Sequence, residues 1–491
     1  PAAMRPTIMG VALAYLLLIA VIGTWAARRT RTERDFFVAG GGIGLLALTV
    51  ASVSTSVSGF VFIGGPGLFY GAGLGALYIS LSASVTNVMG AWVLAKRMRL
   101  LGEVRPMRTV PDAIGARYRS PAAQGLAAVA ILVGIVGYMA TNALAMGVVL
   151  DAIFGVGLVP GIWIGMGITL AYSVAGGILA GIYNDVLQGT LMAIASVAVF
   201  VVVLRLGDGL GGHARAILAV DPQFLGPFGR MAPLQALSLF FVFGLGSLGQ
   251  PAAIHKYYML RDPRQLRWYP LLKTVGLLLV LLLFFGVGLS VKALVASGQL
   301  PALARNDDAT PTFLLRFTPP LLAGLVFSGV AAATMSITNS FMNIGAAAIV
   351  HDLPRAFGRT VADPLRTGRI ATVALSLLAI LVATSSTTMV AFLGIFGYGL
   401  FASTLVPSLA IGLNWAGATR AGAIASIATG LGLTLVCETL AWAKLFTLPT
   451  GVSIAGLALV ASILVFVGVS VATRHTAVAT LDDDVRLVME S

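Results

Sequence analysis

"ASVSTSVSGF", residues 51–60, lies between two apolar runs, "GGIGLLALTV" before it and "VFIGGPGLFYGAG" after it. Ser52, Ser54, Thr55, Ser56 and Ser58 place five hydroxyls beside Gly59, and no charge accompanies them. A lone serine or threonine in an apolar helix means little, because its hydroxyl bonds back to a carbonyl one turn earlier. Five within one short stretch exceed that use, and Gly64, Gly65 and Pro66 follow closely. Glycine weakens a helix by about 1 kcal/mol relative to alanine, and proline removes a hydrogen bond. The stretch predicts a helix broken at membrane depth. Such a break is tolerated only where protein or a water-filled cavity satisfies the freed backbone. A polar seam for helix packing is the plainer alternative.

The bulk composition supports a membrane setting. Of 491 residues, 58% are hydrophobic and 10% charged, and the mean hydropathy is +0.97. A water-soluble domain carries roughly a quarter charged residues. The apolar runs are long and unbroken, unlike the short alternating segments of a β-barrel. A polytopic, all-α membrane protein follows. Thirteen spans are expected, at about 7–27, 43–70, 73–95, 122–150, 158–175, 183–204, 234–254, 270–295, 319–349, 369–387, 389–412, 420–441 and 451–473. The one cysteine, Cys437, excludes an intrachain disulfide.

The net charge of +13 reads as topology rather than as a nucleic-acid footprint. Alternate loops put 23 of the 31 Lys and Arg on one side, among them Arg28, Arg29, Arg31 and Arg34, the run from Lys96 to Arg119 and the run from Lys256 to Lys273. That side is expected to be cytoplasmic, with the N-terminus outside, the C-terminus inside and the protein in the cell inner (plasma) membrane. The charges of "RRTRTER" follow the first apolar run, the wrong flank for a cleaved signal. Residues 205–233 and 296–318 are Gly/Pro-punctuated connectors or lids.

Polar groups inside apolar spans are the informative ones. In "FGLGSLGQPAAIHKYYMLRDPRQLR", residues 243–267, Gly244, Gly246, Gly249 and Pro251 weaken a second span, and Gln250 sets an amide in it. Two interrupted spans at matching positions of two halves point to a transporter binding site. The breaks fall in spans two and seven, the spacing of a five-plus-five inverted repeat. In "GVAAATMSITNSFMNIGAAAIVHDL", residues 329–353, Ser336, Asn339, Ser340 and Asn343 share one helical face; a packing seam would give the same pattern. Asp185, in "AGGILAGIYNDVLQGTLM", is either a charge at a helix start, favoured by the macrodipole, or a group on an ion path. No catalytic constellation, P-loop or zinc spacing is present, which disfavours an enzyme.

These motifs together resemble the sodium:solute symporter family, from about Asp35 to about Gly430. "DFFVAGGGIG" (35–44), "TVPDAIGARY" (109–118), "GGILAGIYNDVLQ" (176–188), "LGSLGQP" (245–251) and "AAATMSITNS" (331–340) carry the resemblance, with Asn184 where the family usually has threonine. It implies a LeuT-type inverted repeat with one extra N-terminal and two extra C-terminal helices. The expected division is 1–42 for the extra helix and its loop, 43–205 and 206–412 for the two repeats, 413–474 for the C-terminal pair and 475–491 for a cytoplasmic tail. The resemblance also implies a sodium site at the carbonyls of Ser54, Val57 and Ala333 and the hydroxyl of Ser336, with Asp185 on the ion path. Ile337 stands where a second hydroxyl is usual, and Ser56 where proline permease-like members carry an acid. Both departures leave a neutral, poorer site for a hard cation, for which Ser56, Ser58 or Thr338 could compensate. Ser58, Gly59, Phe60, Phe243, Ser247 and Gln250 are the implied substrate positions.

The expected function is secondary active uptake of a small organic solute, such as an amino acid or monocarboxylate, coupled to sodium or protons by alternating access. An uncoupled facilitator or a ligand sensor on the same scaffold is the runner-up. The expected partners are the solute, the coupling ion and membrane lipid; nucleic acid, an organic cofactor and an obligate protein partner are not expected.

Overall fold

The computed structural model describes residues 5–27, 44–259, 262–385, 389–446, 448–449, 451–476 and 481–490. "RRTRTER" and all of "DFFVAGGGIG" except Gly44 lie outside them. So do the side chains of Tyr172 and of residues 174–184, which include Asn184. Among the described residues the chain is helical and has no strand.

Chain order gives α1 (Arg5–Ala27), α2 (Leu45–Ser56), α3 (Gly65–Ala72), α4 (Tyr78–Gly90), α5 (Lys96–Val104), α6 (Val110–Tyr118) and α7 (Pro121–Phe154). Then come α8 (Leu158–Arg205), α9 (Gly209–Leu218), α10 (Pro233–Gly246), α11 (Pro251–Tyr257), α12 (Tyr269–Ala296), α13 (Ala309–Phe317) and α14 (Pro320–Ala347). Last are α15 (Leu353–Ala356), α16 (Pro364–Ser385), α17 (Val390–Leu405), α18 (Arg420–Trp442), α19 (Ile454–Ala472) and α20 (Asp483–Glu490).

Local chemistry sets many of these boundaries. Proline opens α7, α10, α11, α14 and α16, where its missing N–H is not needed. Ser120, Thr419 and Ser453 cap α7, α18 and α19 through their hydroxyls. Gly155 closes α7 at φ 66°.

Nine helices among the described residues are long and apolar enough to cross a membrane, or ten if the bent pair α10–α11 counts as one span. The expected thirteen are not reached by length and apolarity alone. Shorter apolar helices at Pro6–Tyr15, Leu45–Ser56 and Leu158–Ala171 lie where three more spans are expected. The expected spans 158–175 and 183–204 lie on one continuous helix, α8. No proline occurs between Pro160 and Pro222 to interrupt it.

Large apolar side chains such as Leu17, Leu81, Leu381 and Leu464 are exposed on the long helices. That outward apolarity suits a hydrocarbon surround. Inside, α2 and α14 both pack on α8, and α1 lies against α8 and α14. Helix α17 packs on α7 and α10, and α18 pairs with α19 at the periphery.

Both expected breaks are present. Helix α2 ends at Ser56, Val57 is extended, and a π-helical turn from Phe60 to Gly64 leads into α3. Helix α10 passes through a 3-10 turn at Ser247–Gly249 to an extended Gln250, and α11 leaves at 41°. The two connectors close over one end of the molecule. Phe224 accepts from Leu74 N at 3.1 Å and Arg230 N donates to Ala72 O at 2.8 Å, while Thr310 Oγ1 donates to Phe62 O at 2.6 Å.

Candidate functional site

The α2 break is held by α7. Gly59 N donates to Asn142 Oδ1 at 3.0 Å, and Phe60 N donates to Ser58 Oγ at 3.2 Å. Ser58 Oγ also lies 3.2 Å from Tyr138 Oη. Protein therefore satisfies the freed backbone, as an unwound segment at membrane depth requires. Gly59 is dictated by space. A Cβ there would overlap Ala145 and lie 2.9 Å from Thr334 Cγ2. The pattern of hydroxyls and glycines foretold the break. Tyr138 and Asn142, mid-helix residues about 80 positions away, were missed.

Beyond the break, three aromatic rings stack. Phe60 and Phe243 have centroids 5.4 Å apart, and Phe243 and Tyr398 4.6 Å apart at an interplanar angle of 16°. Tyr398, from α17, was also missed. Of the expected substrate positions, Phe60 and Phe243 are brought together, ring against ring. Ser247 Oγ is committed to Gly244 O at 2.8 Å. Gln250 is buried and its Oε1 has no hydrogen-bond partner among the described residues.

Of the expected cation positions, Ser336 and Asp185 lie where groups of α2, α8, α11 and α14 converge. Ser336 Oγ donates to Asp185 Oδ1. Ser56 Oγ turns back to Ser52 O at 2.8 Å, and the Ser54 Oγ and Thr338 Oγ1 atoms are buried without a partner among the described residues. Ile337 is fully buried and offers no oxygen. Asp185 is not at a helix start: α8 runs through it, which removes the macrodipole explanation. Its approach to α2 depends on Gly189, one turn further on, where a Cβ would stand 2.8 Å from Val50 O.

The sequence places Lys256 among the loop charges, and the structure corrects that placement. It is 5% exposed. Its Nζ donates to Asp185 Oδ2 at 2.7 Å, to Ala51 O at 2.6 Å and to the Thr55 hydroxyl. Proline at α11's start and the bend at Gln250 turn this last helical turn inward. An ammonium already satisfies the carboxylate that faces Ser336, so the residues present fit a free sodium ion poorly in this conformation.

A cavity of about 860 Å³ leads to this junction. Exposed Arg355 and Arg359 stand at its mouth, and Asn343, Asn339, Lys256 and Asp185 line its buried end. Asn339, Ser340 and Asn343 present their shared face to it. Phe60, Phe243 and Ser247 do not line it. Beside the mouth is a cluster that sequence separation concealed. Asp112 accepts from Gln124 Nε2 at 2.9 Å and lies 3.1 Å from His351 Nε2, while Thr109 Oγ1 donates to Asp352 at 2.7 Å. Burial raises the Asp112 carboxyl, but His351, the Arg108 amide and Arg355 outweigh it and hold the carboxyl below its usual range.

A sequence profile described as the Sodium:solute symporter family matches residues 36–430. The chain belongs to that family. As a sodium:solute symporter family member it has curated relatives over most of its length. It is 25% identical over 438 residues to the osmoregulated proline transporter OpuE of Bacillus subtilis (strain 168), covering 88% of each chain. It is 26% identical over 442 residues to the sodium/pantothenate symporter of Escherichia coli (strain K12), covering 87% of this chain and 90% of the relative. Its fold is similar to that of a Na+-coupled sialic acid symporter solved in a substrate-bound outward-open state. The TM-score is 0.77 at 16% identity, covering 96% of this chain and 97% of the other. MhsT in complex with L-phenylalanine is a more distant likeness, with a TM-score of 0.53 at 14% identity over 86% of this chain and 98% of that one. The family member is accordingly a transporter of LeuT-type fold and not an enzyme.

Proposed function

We propose that this family member is a cation-coupled carrier that takes up a small organic solute by alternating access. The observation that carries the reading is the pairing of two interrupted helices with one cavity. Phe60, just past the α2 break, stacks on Phe243, which α10 carries ahead of its own break at Gln250. The cavity opens on the arginine-rich side and reaches Ala252 and Lys256 of α11 and Asp185 of α8, while the connectors cover the opposite end. With the arginine-rich side taken as cytoplasmic, this arrangement is an inward-open carrier in a cell membrane, with its C-terminus inside.

The ring stack of Phe60, Phe243 and Tyr398 carries no charge of its own, so on this reading the solute is held by aromatic faces, the Gln250 amide and the helix ends at the breaks. The positive end of a half-helix suits a carboxylate. An amino acid or a monocarboxylate fits this chemistry, in keeping with the proline and pantothenate named for its relatives.

The test is uptake of radiolabelled proline, pantothenate and a short monocarboxylate into proteoliposomes under imposed sodium or proton gradients. Accumulation above equilibrium under one gradient is the expected result. Saturable uptake indifferent to both gradients would make the protein a facilitator. No saturable uptake would overturn the carrier reading.

A further inference from the structure

Lys256 sits among ligands chosen for a cation. Its ammonium has a carbonyl from Ala51, a hydroxyl from Thr55 and a carboxylate oxygen from Asp185. This is the all-oxygen chemistry that a hard cation selects. The carbonyl and hydroxyl belong to the last two turns of α2, whose C-terminal end adds a negative field. The second oxygen of the same carboxylate receives the Ser336 hydroxyl. Ser336 is one of the groups that the family resemblance gives to sodium. The ammonium and the family's ion position are therefore served by one carboxylate. Two positive charges held that closely repel, and burial leaves little water to screen them.

We propose that Lys256 is an intramolecular competitor of the coupling ion. Its ammonium takes the oxygens of α2 and α8 when the ion is absent, and the ion enters as α11 withdraws it. The geometry supports the exchange. Lys256 is carried on the seven-residue α11, beyond the bend at Gln250, so one short segment holds the tethered charge. Its side chain also lines the cavity, which gives the departing ion a wet path. This inference rests on the reading of the chain as an ion-coupled carrier, but its test needs no solute.

Binding of radiolabelled sodium to the purified full-length protein is compared among the wild type, Lys256→Gln and Lys256→Arg. Lys256→Gln frees the oxygens and leaves Asp185 uncompensated, so its sodium affinity should rise at least about tenfold. Lys256→Arg keeps the charge and should keep the wild-type affinity. Adding Asp185→Asn to Lys256→Gln should abolish the gain. A second measurement uses the wild type alone and does not depend on a variant folding. Sodium replacing choline at constant ionic strength should increase amine labelling of Lys256, read by mass spectrometry. Equal sodium affinity in wild type and Lys256→Gln, or labelling indifferent to sodium, would overturn the proposal. Proteoliposomes that transport nothing while the sodium-binding differences persist would sink the carrier reading and leave this one standing.

Discussion

Arg105 Nε donates to Asp484 Oδ2 at 2.6 Å, joining the end of α5 to the C-terminal helix α20. Arg105 Nη2 reaches Asp482 at 2.7 Å, and Val485 and Val488 are buried beneath. The tail is therefore docked rather than trailing. The Arg105 hydrogen bond holds the Asp484 carboxyl below its ordinary 3.8. A depressed carboxyl contributes stability above that ordinary value and loses it as the pH falls through the folded one. Arg105→Gln should open α20 to protease at neutral pH, read by limited proteolysis. In the wild type, hydrogen exchange of α20 should accelerate only below about pH 4.

Removing one member of the Lys256–Asp185 pair leaves a buried charge uncompensated. Asp185→Leu or Lys256→Met alone should lower unfolding stability by about 3–5 kcal/mol, and the double variant should recover most of the loss. Thermal unfolding in detergent checks this. Equal losses in the single and double variants would mean that the pair contributes no mutual compensation.

Asp307 lies in the 3-10 turn of the connector between α12 and α13, where its Oδ2 accepts from Val390 N at 3.0 Å. Burial pushes its carboxyl up from 3.8 to about 6. The sign is opposite to that of Asp484: the contribution is fully present below the ordinary value and is lost as the pH rises through about 6. The wild type should lose stability across that window relative to Asp307→Asn, measured as melting temperature against pH.

Gly189 is the point where α8 crosses α2. A valine there would meet Val50 O at 2.8 Å and Ser54 Cβ at 3.3 Å. Overpacking of this kind costs about 1–3 kcal/mol. Gly189→Val should lower the melting temperature and also weaken the Asp185–Lys256 contact one turn away. Gly10→Val, at a position where an added Cβ meets nothing within 4 Å, is the control and should leave stability nearly unchanged.

The breaks were legible because they are local. Glycine, proline and crowded hydroxyls state a backbone preference wherever they occur, and "ASVSTSVSGF" and "LGSLGQP" announced both interruptions. The same holds for the polar face from Ser336 to Asn343, whose spacing is a property of one helix. Lys256 was not legible. In "AAIHKYYMLRDPRQLR" it is followed by Arg261, Arg264 and Arg267 and reads as part of a loop. Its true direction is set by the bend at Gln250 and by a partner 71 residues away. Tyr138, Asn142 and Tyr398 escaped for the same reason, since a polar or aromatic residue in mid-helix does not declare which neighbour it will meet. Asp185 remained ambiguous until α8 proved continuous through it.

Where the solute takes the place proposed for it, the stack of Phe60, Phe243 and Tyr398 competes with it. A solute that lies between these rings must first part them, so only the fraction of molecules with rings separated can bind. Apparent affinity is then the intrinsic affinity reduced by that fraction. On the proposed reading, selectivity resides as much in how readily a solute replaces a ring as in how well it fits, and a flat or apolar face on the solute serves both.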